Sequence, residues 1–152
     1  MTVLASGILL YRPATVADEP HLLLLRNRDN GQWGFPKGRR ESEDAHEVAT
    51  AMREVLEETG YQGLVLHPTF RCCLKYQTND GATQDGWKRS VYFLARAPAT
   101  DPVLSVEHSE FEWANRRLLS ERLAHEQLCD MALRAMRTIE QDDVQSETKP
   151  EF

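Results

Sequence analysis

Four consecutive leucines, Leu22 to Leu25, framed by His21 and Arg26, narrow the possible folds more than any other stretch of this chain. Pro20 precedes the run and the polar Asn27-Arg28-Asp29-Asn30-Gly31 follows it, so it reads as a strand. Strand side chains point alternately to opposite faces, so an unbroken leucine run requires apolar cover on both. A sheet shielded on each side by helices supplies that cover.

The remaining segments furnish the layers. Residues 3–11 are mostly apolar and predict a buried strand, with Gly7 marking a close backbone approach. Asn30-Gly31 is a turn signal, and residues 33–36 are a short extended piece. Further strands are expected at 63–67, 70–76, 90–97 and 110–113, with a polar loop at 79–86. Helical spacing predicts helices over 42–59, 115–123 and 125–140; the last places Leu128, Met131, Ala132, Ala135, Met136 and Ile139 on one buried face. Residues 141–152 are polar without periodicity and read as a disordered tail, leaving 1–140 as one domain. The expected class is α/β, with a mixed sheet between helical layers.

Composition excludes several functions. A net charge of −6 argues against general nucleic-acid or membrane-surface binding. Cys72, Cys73 and Cys129 lack C-x-x-C spacing, which suggests reduced thiols in a cytoplasmic protein and no zinc–cysteine site. Residues 1–10 lack a basic start and a long apolar run, so no signal peptide is expected, and no stretch has membrane-spanning length.

The helix expected at 42–59 carries the chemistry. Ala45, Val48, Ala51, Met52, Val55 and Leu56 fall on one face, and Glu47, Glu54, Glu57 and Glu58 on the other. Ser42 is the expected N-cap and Gly60 the left-handed residue that ends the helix. Glu57 and Glu58 stand at the negative end of the helix dipole, at a cost of about 0.3–1 kcal/mol each. Glu54 and Glu58 add an i,i+4 repulsion of about 0.2–0.5 kcal/mol. Glutamate-rich helix faces are usually just solvated. Here a Gly/Pro/Lys loop leads straight into the helix and Arg53 adjoins the acids, which favours a cage for a hard divalent cation; such an ion reverses both penalties.

Arg53-Glu54-Val55-Leu56-Glu57-Glu58-Thr59-Gly60-Tyr61 resembles the second half of the Nudix box, R-E-U-x-E-E-x-G-U, and Gly38 matches its opening glycine. Between Gly38 and Arg53 the chain is one residue longer than the family pattern, so Asp44 or Glu43 takes the part of the box's first glutamate. The resemblance implies the family's α/β/α sandwich over residues 1–140. It also implies hydrolysis of a phosphoanhydride with Mg²⁺, or Mn²⁺ as substitute, held by Glu54, Glu57, Glu58 and the Gly38 carbonyl. Glu107 is the candidate accessory carboxylate from outside the box, and Arg53 the residue that orients the acids. Glu54, Glu58 and Glu107 remain open as general base.

Outside the box the chain resembles the asymmetric diadenosine tetraphosphate hydrolases. The likeness rests on Trp33 with Pro36-Lys37-Gly38, Tyr76, Lys88 before Val91-Tyr92-Phe93-Leu94-Ala95, Ser105-Val106-Glu107-His108 and Phe111-Glu112-Trp113. It implies a dinucleoside polyphosphate substrate, with Tyr76 and Phe111 sandwiching an adenine and Lys37, Lys88 and Arg89 holding the polyphosphate. Three other readings stay open. One is a diphosphoinositol polyphosphate phosphohydrolase with a basic rim that includes Arg71 and Lys75. The second is an RNA 5′-end pyrophosphohydrolase, weakened by the acidic net charge. The third is a Nudix-like binding module without activity.

Overall fold

The computed structural model describes residues 5–77 and 86–148, with side chains as far as residue 144. Its core is a seven-stranded mixed sheet built from β1 (Ala5–Arg12), β2 (His21–Asn27), β3 (Trp33–Gly34), β4 (Lys37–Arg39), β5 (Cys72–Gln77), β6 (Trp87–Arg96) and β7 (His108–Ala114). The order is β3-β2-β1-β6-β5, with β4 also on β1 and β7 also on β2. β1 and β6 run parallel; the other pairs are antiparallel. Helix α1 (Glu47–Thr59) covers one face, and α2 (Arg116–Arg122) and α3 (Glu126–Thr148) cover the other.

The alternation of side chains explains the three layers. Leu22 and Leu24 join Leu9, Tyr92 and Leu94 in a core closed by Leu119 of α2 and Met131, Ala135 and Met136 of α3. Leu23 and Leu25 join Ile8, Leu10, Val91 and Phe93 under Ala51 and Val55 of α1. All four leucines of β2 are buried, as a strand covered on both faces requires. Among the described residues, no helix is long and apolar enough to cross a membrane.

Four elements differ from the sequence reading. Residues 63–67 form no strand; Leu66 makes an isolated bridge to Ala95, and Pro68 stops the pairing there. Lys37–Arg39 forms a strand that the sequence, with a glycine at its centre, does not signal. Helix α1 starts at Glu47, because the His46 side chain caps it by accepting from the Ala49 amide at 3.1 Å, while Ser42 lies in a turn. Helix α3 runs through Thr148, beyond the expected boundary at 140. Extending an existing helix costs far less than nucleating one, and Asp142 is tied to His67 at 2.6 Å. The loop expected at 79–86 and the last residues of the expected tail lie outside the described residues, Gly86 excepted.

Gly7 positions the loop that leads into α1. β4 pairs with β1 through Gly7 opposite Lys37, and the Ile8 amide donates to the Pro36 carbonyl at 3.1 Å. A Cβ on Gly7 would stand 2.3 Å from that carbonyl oxygen, and backbone cannot give way as a side-chain end can. Gly7→Ala is therefore expected to lower stability by about 1–3 kcal/mol in urea unfolding, the usual cost of overpacking.

Candidate active site

The lead-in loop and the end of α1 meet at one buried carboxylate. Glu58 is 5% exposed, and its Oε2 accepts from the Lys37 amide at 3.1 Å. Burial pushes its pKa up to about 8, against the pull of that amide; Glu54, Glu107 and Glu57 add repulsion. Glu54 is pushed up by burial as well. Its carboxylate rests directly on Gly38: a Cβ there would fall 1.9 Å from Glu54 Cδ, so only glycine fits at this box position.

Arg53 holds the acidic face together. Its Nη1 donates to Glu54 Oε1 at 2.9 Å and to Glu57 Oε1 at 3.3 Å, and its Nη2 to the Arg39 carbonyl at 2.9 Å. Its Nε and Nη2 also grip Asp44 at 3.1 and 2.9 Å. Asp44 is buried, accepts from Thr50 Oγ1 and the Glu41 amide, and has its carboxyl held well below the usual range, first by Arg53. Asp44, not the exposed Glu43, is thus the carboxylate that pairs with the box arginine. The extra residue of the box is taken up in the loop ahead of α1, which starts late as a result. Glu57 lies at the exposed rim.

Glu107 comes to the same place from a distant loop. Arg28 clamps that loop through three consecutive carbonyls: Nε donates to Val106 at 2.9 Å, its amide to Glu107 at 2.8 Å, and Nη2 to His108 at 3.3 Å. Ligand atoms of Glu58, Glu107 and His108 all lie within 4.8 Å of one another. His108 is buried, which lowers its pKa and favours the neutral imidazole. Sequence reasoning assigned no role to His108 or to Arg28. The adjacency of His108 to Glu107 was the available signal; the Arg28 clamp uses main-chain acceptors and leaves no pattern in the sequence.

A cleft of about 630 Å³ opens from these acids. Glu58, Glu107 and His108 are among its lining residues, together with Trp33, Lys37 and Tyr76. Trp33 and Tyr76 belong to β3 and β5, the two ends of the strand order. The guanidinium groups of Arg26 and Arg122 lie 5.9 and 5.5 Å from the Trp33 ring centre, and Lys37 Nζ lies 5.8 Å from that of Tyr76. Lys88 pairs across from Tyr76, so both side chains leave the sheet on the cleft face.

Arg89 and Phe111 are placed elsewhere. Arg89 is one residue on from Lys88 and so leaves on the α1 face, its Nε buried without a partner. Phe111 sits opposite Leu25 and packs into the α1-side core, outside the cleft lining. The aromatic pair flanking the cleft is therefore Trp33 and Tyr76, in place of Tyr76 and Phe111. The reason is strand register: Trp33 pairs with Arg26 on the α3 face, whereas Phe111 shares the opposite face with Leu25.

The donor set fits a divalent cation. Carboxylates at Glu54 and Glu58 are partly or fully withdrawn from water, repel one another and face a third at Glu107. Hard oxygen ligands of this kind suit Mg²⁺ or Mn²⁺, and an ion there would favour the charged form of each.

Residues 1–129 match the model of the NUDIX domain, and the chain belongs to that family. Its sheet and helices make a Nudix-type α/β fold, and the family identifies a hydrolase acting on pyrophosphate bonds, of a kind that generally uses Mg²⁺ or Mn²⁺. Among solved structures it is similar to a C. elegans Ap4A hydrolase binary complex, with 25% identity and a TM-score of 0.76 over 90% of this chain and 96% of that one. The C. elegans Ap4A hydrolase in a second structure gives 24% identity and a TM-score of 0.71 over 91% and 98% of the two chains. The E. coli dihydroneopterin triphosphate pyrophosphohydrolase shares the fold at 17% identity and a TM-score of 0.68, over 91% and 97%. No curated protein sequence matches the chain.

The buried acid makes stability depend on pH. Between the ordinary carboxylate value of 4.5 and about 8, the folded chain keeps a proton on Glu58 that the unfolded chain has released. The folded state binds more protons, so stability falls as pH rises through that window. In chelator, Tm is expected to drop by about 4 °C or more between pH 5 and pH 8. Glu58→Gln should remove this part of the drop, and Mg²⁺ should restore the wild type at pH 8. Thermal melts of both proteins, with and without Mg²⁺, check it.

Proposed function

We propose that this chain cleaves diadenosine tetraphosphate asymmetrically, water and substrate giving ATP and AMP. The observation that carries the reading is the cleft itself, which is lined both by the acids Glu58 and Glu107 and by Trp33 and Tyr76. A dinucleoside polyphosphate has this division of chemistry: flat bases that stack on aromatic rings, and a chain of anhydrides that needs its charge neutralised. The similarity to the C. elegans Ap4A hydrolase supports the same substrate.

In this reading Trp33 and Tyr76 receive an adenine. Lys37 stands beside Tyr76 and, with Lys88 on the same face, binds the polyphosphate. Glu54, Glu57, Glu58, Glu107 and the Gly38 carbonyl would hold magnesium, which would neutralise phosphate charge and lower the pKa of a water. Arg53 orients Glu54 and Glu57 and does not touch substrate. One of Glu54, Glu58 and Glu107 takes the proton of the attacking water in this reading, and the raised pKa of Glu58, about 8, supports it in that part. That water attacks one phosphorus, the bond to the bridging oxygen breaks, and ATP leaves as AMP forms.

The diphosphoinositol reading is less well supported. Arg71 is engaged by Glu47 through two bonds, at 2.7 and 2.9 Å, and Lys75 leaves the sheet on the face opposite Tyr76. Two cations of the supposed basic rim are therefore committed away from the cleft.

The test is product-resolved hydrolysis of diadenosine tetraphosphate, diphosphoinositol phosphates, ADP-ribose and dihydroneopterin triphosphate with Mg²⁺. ATP and AMP in equal amounts are expected from the first; two ADP, or preference for another substrate, would overturn the assignment. Glu58→Gln is expected to cut turnover by about a hundredfold or more while the protein stays folded. Comparable turnover in the variant would remove the roles given to the acids.

A further inference from the structure

We propose that His108 joins Glu58 and Glu107 in a divalent-cation site of mixed nitrogen and oxygen character that takes Mn²⁺ in preference to Mg²⁺. This deepens the preceding reading by adding an imidazole ligand to the carboxylates already assigned.

Three observations converge on it. The ligand atoms of the three residues lie within 4.8 Å of one another. Ligands about 2.1 Å from an octahedral ion stand about 3.0 Å apart as neighbours and about 4.2 Å apart when opposite, so small side-chain rotations close the set. His108 is only 9% exposed, its Nδ1 is buried without a partner, and its ring lines the cleft. A buried histidine that merely fills the core normally has its nitrogens satisfied.

The third observation is the device that aims it. β7 pairs Glu110 with Arg26 and His108 with Asn27, so Ser109 is an extra residue opposite no partner. Regular alternation would put His108 on the same face as Glu110, the face of α3. The bulge turns it to the face of α1, where Glu58 is buried. Arg28 then fixes the carbonyls on both sides of Glu107, so the imidazole and the carboxylate are presented as a unit. A nitrogen ligand costs Mg²⁺ more than Mn²⁺, because Mg²⁺ demands oxygen donors in near-ideal geometry.

The experiment uses the full chain with Mn²⁺ and no substrate, read by electron spin-echo envelope modulation. The wild type is expected to show a ¹⁴N coupling to Mn²⁺ that becomes a ¹⁵N coupling when only the histidines are labelled. His108→Asn should abolish it and weaken Mn²⁺ binding by about tenfold or more, with a smaller change for Mg²⁺. A wild type without histidine coupling, or a coupling that persists in His108→Asn, overturns the proposal. If that variant does not fold, replacing each of the other four histidines in turn (His21→Asn, His46→Asn, His67→Asn and His125→Asn) decides: the coupling must survive in every one, and its loss in any overturns the proposal. Because no substrate is present, the two readings fail separately. An inert protein with the coupling would sink the hydrolase reading alone, and an active one without it would sink the site alone.

Discussion

A carboxylate that burial would rather keep neutral sits where the lead-in loop meets the end of α1, and the arrangement around it follows from that conflict. Glu58 has one amide donor, from Lys37, and three acidic neighbours. Withdrawing a charge from water is expensive unless it is paired. Nothing in the helix supplies the pairing: its last turn has no basic residue, and its dipole points the wrong way. The folded chain resolves the conflict by holding the Glu58 pKa up to about 8.

The sheet makes the conflict usable. β1 lies at the centre, parallel to β6 and antiparallel to β4, and Gly7 lets Pro36 and Lys37 come close enough to lay an amide on Glu58. The cleft draws its walls from both sides of this sheet: Tyr92 and Leu74 belong to the core under α3, Leu25 to the core under α1. Lys37 sits at the junction, its amide on the buried acid and its ammonium near Tyr76. One residue so connects the buried acid to an aromatic ring of the cleft.

Arg53 shows how a departure from a motif is absorbed. The extra residue between Gly38 and Arg53 leaves the acids of the last two turns in place, because α1 is anchored at its far end by Gly60 and along its length by Ala51 and Val55. The slack falls in the loop before Glu47, where Asp44 swings in to take Arg53 and Thr50. The pairing of arginine with carboxylate survives although both the spacing and the acid differ from the family pattern. Geometry, not residue count, is what the helix end requires.

The sequence by itself determined the parts that depend on local periodicity. The leucines of β2 required a sheet covered on both faces, and the spacing of Glu54, Glu57 and Glu58 put three acids into the last two turns of a helix, against its dipole. Gly7 marked a close backbone approach, and Gly38 the opening position of the Nudix box. Only the tertiary structure decided what depends on register and on distant loops. It selected Asp44 over Glu43, put Phe111 in the core and left Trp33 and Tyr76 to flank the cleft. It also brought Glu107 and His108, some fifty residues away in sequence, onto Glu58. Alternation along a strand is written in its residues, but which face meets which helix, and where a bulge reverses it, is set by pairing with strands far along the chain.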